Sequence, residues 1–283
     1  MSNLRVICWN VEHGNAAYIQ TPTLKHIALD LGSEPDFSPL TFLKTDFHID
    51  HLDEVIISHP HTDHLTDILN FDGLSPKVLS RPKHLTESEI RAANRREDAS
   101  IIDKYIEINN RFNSPLASES NPELPQNNGG VVFHTFKDTA TSTANINNHG
   151  LVIVLEYLNC KIIFPGDIES PTWAALLQRR DFVTAISDAD ILIASHHGRE
   201  AGFYGDLFKV FKPKLTIISD GRFRDTSATA RYSAVSDGWT VHRRDKSLNS
   251  EERKCITTRQ DGHIDIEIWK NDKGQTVLSV TAD

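Results

Sequence analysis

Short runs in which apolar residues alternate with polar ones recur along the chain. They fall at 4–10, 15–20, 26–30, 53–58, 131–136, 150–157, 161–165, 190–195, 214–219, 239–242, 254–258 and 263–268, and each predicts a β-strand. Apolar spacing of three and four predicts helices at 65–70, 86–112, 171–179, 183–188, 203–211 and 227–237. Within the longest of these, Ile101, Tyr105, Ile108 and Phe112 share one face and read as a stripe turned to the core. Strands at both ends of the chain with helices between them predict an α/β sandwich of two sheets faced by helices, with no internal repeat. Residues 113–130, rich in Asn, Pro, Ser and Gly, interrupt the pattern as a loop.

One apolar run ends in chemistry. Ile56-Ile57-Ser58 leads into His59-Pro60-His61-Thr62-Asp63-His64, four metal-competent side chains in six residues. Borderline divalent ions such as zinc, manganese or iron take neutral imidazole nitrogens and carboxylate oxygens. A turn after the buried strand predicts His59 and His61 on one side and Asp63 and His64 on another, hence two adjacent cation positions. Pro60 removes a helical donor, which excludes a helical His-Glu-x-x-His zinc site and puts the cluster on a loop. A solvated polar loop is the bland alternative, but it gives no packing reason for three histidines and an aspartate so close together.

This His-x-His-x-Asp-His string resembles the signature of the metallo-β-lactamase superfamily, and further strings match in order from residue 4 to about residue 220. The superfamily has an Asp shortly after an early strand, near a Gly, as in Asp30-Leu31-Gly32. Its later metal-bridging Asp corresponds to Asp167 in Ile162-Ile163-Phe164-Pro165-Gly166-Asp167, and a last His to His196 in Ser195-His196-His197-Gly198. Within the superfamily the strings look most like the domain found in ComEC-type competence proteins. These strings are Val11-Glu12-His13-Gly14-Asn15-Ala16, the His-His-Gly triplet and Asn147-Asn148 before the strand at 150–157.

The resemblance implies an αββα sandwich of two mixed sheets flanked by helices, and two divalent cations, zinc or manganese. It places His59 and His61 on one metal and Asp63 and His64 on the other, with Asp167 bridging and His196 completing a shell. A hydroxide shared by the metals is then the nucleophile, and Asp63 orients it. Asp30 would fix a histidine tautomer from behind. Because neighbours in an extended segment point opposite ways, His197 is expected behind His196 or near substrate. Two departures stand out. The histidine that often precedes the strand at 150–157 is missing from 144–147, leaving His149 either as a displaced ligand or as a replacement for a neutral polar residue. No histidine follows the strand at 214–219, so Asp225 takes that place or the contact is lost.

Composition then limits the substrate. The chain has 283 residues and 39% are hydrophobic, enough for one domain over 1–283, with residues 81–148 as an insertion expected to cover the site. No apolar run approaches a membrane span and no secretory signal opens the chain, so a cytoplasmic, freestanding counterpart of a domain found in membrane channels is expected. Cys8, Cys160 and Cys255 are odd in number and widely spaced, which predicts buried thiols. A net charge of −9 argues against a broad nucleic-acid face. Local cations remain, and the resemblance sets Arg222, Arg224 and Thr226 beside the metals as substrate contacts. The expected function is phosphodiester hydrolysis, with a nucleic acid or nucleotide as substrate. Hydrolysis of a carboxyl ester, lactone or thioester at the same site, or a non-catalytic regulatory subunit, are the alternatives. A protein partner is left open.

Overall fold

In the computed structural model, which describes residues 3–122, 124–221 and 227–283, strand alternation sorts the apolar side chains into three cores. β1 (Leu4–Cys8), β2 (Ala16–Gln20) and β3 (His26–Leu31) form an antiparallel meander, which β4 (Glu54–Ile56) and β5 (Val78–Ser80) extend in parallel. β6 (Val132–Phe136), β7 (Val152–Tyr157) and β8 (Cys160–Phe164) make a second meander, extended in parallel by β9 (Ile191–Ile193) and β10 (Leu215–Ile218). The chain then returns to the first sheet with β11 (Trp239–Arg243) and β12 (Glu251–Arg253), and adds β13 (Cys255–Thr257) beside β10. β14 (Ile264–Lys270) and β15 (Thr276–Ala282) complete the first sheet. The orders are β12-β11-β15-β14-β1-β2-β3-β4-β5 and β13-β10-β9-β8-β7-β6.

The period of two decides which core each residue enters. Leu4, Val6 and Cys8 of β1 face the second sheet and meet Ile153, Leu155, Ile162 and Ile217, whereas Ile7 turns to the helices. Six helices cover the outer faces: α1 (Pro39–Thr45), α2 (Glu87–Ala93) and α3 (Ala99–Arg111) on the first sheet, and α4 (Ser170–Leu176), α5 (Arg180–Ile186) and α6 (Thr229–Val235) on the second. The result is the expected αββα sandwich. All three cysteines are free and buried. Among the described residues no helix is long and apolar enough to cross a membrane.

The helix predicted over 86–112 is two. Thr86 and Glu89 close a capping box at the start of α2, and Asn94 leaves helical geometry at φ −113° and ψ 159°. α3 then buries Ile102, Tyr105, Ile106 and Ile108, with Ile101 and Phe112 packed at its margin, so the apolar stripe is real but starts later. The segments predicted as helices at 65–70 and 203–211 form 3-10 turns over Ile68–Leu74 and Gly205–Lys209.

Candidate metal centre

Every group at the site comes from a turn at one end of the two sheets, where α/β folds put their sites. Asp30 lies near the end of β3 with a left-handed φ of +55°, beside the β-bulge where the β2–β3 register shifts at Ala16/Ala17. The loop of His59 to His64 follows β4, Asp167 follows β8, and His196 and His197 follow β9. The His59–His64 loop packs through glycine against the β1–β2 hairpin turn and against the turn that follows β3. A Cβ on Gly14 would stand 2.6 Å from the Asp63 carbonyl oxygen, and one on Gly32 3.0 Å from the same atom.

These turns bring one ligand atom each from Asp63, His64, Asp167 and His197 within 4.8 Å of one another. Asp167 lies across the cluster: its Oδ1 is 3.2 Å from His64 Nε2 and its Oδ2 is 3.3 Å from His197 Nε2. Asp63 Oδ2 is 3.3 Å from the same His197 nitrogen. The His64 and His197 Nε2 atoms are buried without a hydrogen-bond partner among the described residues. Next to this group, His59 Nε2 and His61 Nδ1 face each other at 3.0 Å, and the rings of His59 and His64 lie 4.2 Å apart.

The two halves differ in charge. Burial, reinforced at His59 by the neighbouring His64, holds the imidazoles of His59 and His61 below their ordinary range, so both offer neutral nitrogens. Burial alone would also lower His64 and His197. Asp167 and Asp30 around His64, and Asp167 and Asp63 around His197, outweigh it, keeping His64 well above its usual range and pushing His197 up to about 9. Burial would raise the two carboxyls. The contact with His197 and the charge of His64 hold Asp63 low, and the same two imidazoles keep Asp167 well below the carboxylate range. Imidazole and carboxylate donors converging with unpartnered nitrogens suit a divalent cation.

Asp30 is buried behind His64. Its Oδ2 accepts from His64 Nδ1 at 2.8 Å, Ser58 Oγ at 2.8 Å and Asn15 Nδ2 at 2.9 Å, while Oδ1 accepts the Ser58 backbone N–H at 2.7 Å. With Nδ1 committed to Asp30, Nε2 is the His64 nitrogen left to face the cluster. His149 is fully buried, with Nδ1 2.9 Å from His84 Nε2 and an Nε2 that meets no partner among the described residues; it is not one of the four converging groups.

The structure places the two neighbours of the His-His pair differently. His197, not His196, enters the cluster. His196 Nε2 is 3.9 Å from Asp167 Oδ2, and its Nδ1 lies 3.1 Å from Glu169 Oε1. The reason is backbone geometry: His196 (φ 51°, ψ 50°) and His197 (φ 54°, ψ 31°) are both left-handed, so the alternation of an extended segment does not apply. Arg222, Arg224, Asp225 and Thr226 lie outside the described residues.

Other residues at the site gave no sequence signal. His13 Nε2 is 3.4 Å from Asp63 Oδ2 and its ring packs on His197 at 4.9 Å. Asn94, at the break between α2 and α3, braces the His59–His64 loop: its Oδ1 accepts from the N–H and hydroxyl of Thr62, and its Nδ2 donates to the Pro60 carbonyl. A cleft of about 350 Å³ opens there, lined by His13, His61, Asp63, Asn94, Arg95 and Asp98 among others.

A sequence model described as the metallo-beta-lactamase superfamily matches residues 10–218. No curated protein matches the chain. Among solved structures, a diphosphatase of the PhnP family is 12% identical, with 92% of this chain and 85% of that one covered at a TM-score of 0.46. Zn(2+)-bound PqqB from Methylobacterium extorquens is 10% identical, covering 77% and 89% at 0.45. CmlA, a diiron β-hydroxylase from Streptomyces venezuelae, is 13% identical, covering 77% and 45% at 0.41.

Proposed function

The chain belongs to the metallo-beta-lactamase superfamily, whose members are generally metal-dependent hydrolases, and from that premise we propose a two-cation phosphodiesterase acting on a nucleotide-sized substrate. The observation that carries the reading is the convergence of Asp63, His64, Asp167 and His197 beside the neutral His59–His61 pair. The first four residues would hold one cation. His59 and His61 would hold the other, with His149 as a further candidate nitrogen and with Asp167, whose charge reaches both imidazoles, as the group that would be shared. Bound zinc or manganese would supply a nucleophile at neutral pH and stabilise charge on the substrate.

The protein's own groups do the positioning. Asp63 faces the cleft with its carboxyl held low and would orient the attacking water. Asp30 and Ser58 fix the His64 ring, and Asn94 fixes the loop that carries His61 and Asp63. Ala93, Asn94, Arg95 and Asp98, from the segment predicted as an insertion, form the opposite wall of the cleft, which supports a role for that segment in choosing the substrate. The polar cleft with Arg95 on its wall and the chain's net charge of −9 favour a small anionic diester over duplex nucleic acid. Kinship with the ComEC-type domain, carried by the turn around Gly14, Asn147-Asn148 and the His-His-Gly triplet, is part of this reading.

The test is hydrolysis of bis-p-nitrophenyl phosphate by metal-stripped protein titrated with manganese or zinc, with Asp63→Asn and His61→Ala run in parallel. Turnover that requires metal and is lost in both variants supports the reading. No turnover with either cation despite stoichiometric metal binding refutes it and moves the weight to carboxyl-ester chemistry.

A further inference from the structure

Arg199, directly after the His-His-Gly turn, spans two imidazoles. Its Nη1 donates to His196 Nε2 and its Nη2 to His13 Nε2, both at 3.1 Å. A ring nitrogen that accepts has a free lone pair, so neither partner neutralises the guanidinium. Arg5 is paired with Asp265, and Arg243 and Arg253 with Asp261, whereas the buried Arg81 spends its donors on the Asn109 side chain and on backbone carbonyls. Arg199 has no carboxylate partner among the described residues. Of its five N–H groups, two meet a side chain among the described residues.

The guanidinium is also held in place from behind. His196, one of its two supports, has Nδ1 3.1 Å from Glu169 Oε1, and Glu169 accepts from Asn145 Nδ2 at 3.1 Å. The Arg199 N–H donates to the His196 carbonyl at 3.0 Å, and its backbone pairs with Ser227. On the site side it stands one imidazole away from Asp63 through His13, and one imidazole away from Asp167 through His196. A fixed planar cation with spare donors beside a metal cluster suits a two-oxygen anion.

We infer that Arg199 binds a non-bridging oxygen of a phosphoryl group seated at the cluster, and so selects an anionic reacting group. The inference rests on the phosphodiesterase reading, and its test needs no turnover. Calorimetry would measure inorganic phosphate binding to zinc-loaded wild type, Arg199→Gln and Arg199→Lys, with zinc stoichiometry reporting whether the cluster survives. With stoichiometry intact, Arg199→Gln should weaken phosphate binding about ten- to hundredfold, the usual weight of a hydrogen bond to a charged group. Arg199→Lys, which keeps the charge but cannot span both imidazoles, should lie between. Equal phosphate affinity in wild type and Arg199→Gln, or no phosphate binding by wild type, overturns the inference even if diesters are hydrolysed. Arg199-dependent phosphate binding without diester turnover upholds it while the phosphodiesterase reading fails.

Discussion

Asp30→Asn isolates what the buried carboxylate does for the cluster. The substitution keeps shape and leaves an oxygen to accept the Ser58 N–H, but puts an NH2 where Oδ2 accepts from Ser58 Oγ, His64 Nδ1 and Asn15 Nδ2. The serine hydroxyl can rotate to accept. The other two contacts become donor against donor, and at roughly 1.5–3 kcal/mol for each hydrogen bond to a charged group the initial loss is about 3–6 kcal/mol. His64 can recover part of this by giving up its Nδ1 proton and keeping the one on Nε2, which leaves an expected loss of about 2–4 kcal/mol in a guanidinium melt of metal-stripped protein. That tautomer blocks the nitrogen lying 3.2 Å from Asp167. Zinc affinity, measured by competition with a chromophoric chelator, should therefore fall about ten- to hundredfold, as for other residues that orient a ligand. A variant that melts early yet binds zinc as wild type does would refute the assignment of Asp30 to the His64 tautomer.

Two further outcomes follow from the same geometry. His197, raised to about 9 from an ordinary 6.5, stabilises the metal-free fold fully below about pH 6.5 and ceases to as pH rises through 9, a loss of about 3 kcal/mol. Urea melts across that window should show the decline, and metal titrations in weak buffer should release protons; a flat profile would count against a protonated His197 between Asp63 and Asp167. Gly14→Ala forces a methyl to within 2.6 Å of the Asp63 carbonyl oxygen, so the His59–His64 loop has to shift. A destabilisation of about 1–3 kcal/mol together with weaker metal binding is expected, and unchanged metal affinity would show that the loop tolerates the displacement.

How much of this was legible varies with the physical signal. Ile264–Lys270 announces itself by apolar residues at alternate positions, and Val152–Tyr157 by an unbroken run of four apolar residues that are buried on both faces. β5 was missed because three residues between Pro76 and Pro82 are too few to show a period, and β12, Glu251–Arg253, because a charged edge strand has none. α1 left a readable start, Ser38 capping Thr41 with Pro39 at the first position, that its short apolar pattern did not reinforce. β15, seven residues of which only Val280 and Ala282 are buried, also passed unread. At the site, spacing revealed the His59–His64 cluster because its ligands are neighbours in sequence. His13, Asn94, Glu169 and Arg199 meet it only through the fold. The choice between His196 and His197 depended on two successive left-handed backbone conformations, which no local pattern announces.

The pairing of Leu4 with Ile268 has a consequence for how the molecule comes into being. β1 lies between β2 and β14, tied to the latter also by the Arg5–Asp265 ion pair at 2.5 Å. Until the last strands have left the ribosome, an apolar strand with an open edge must wait, and the hairpin turn carrying His13 and Gly14 waits with it. Loop closure over such a separation makes folding slow, whatever the final stability. The nascent chain thus passes through a long interval with a sticky edge uncovered, during which chaperone holding or self-association competes with the arrival of β14.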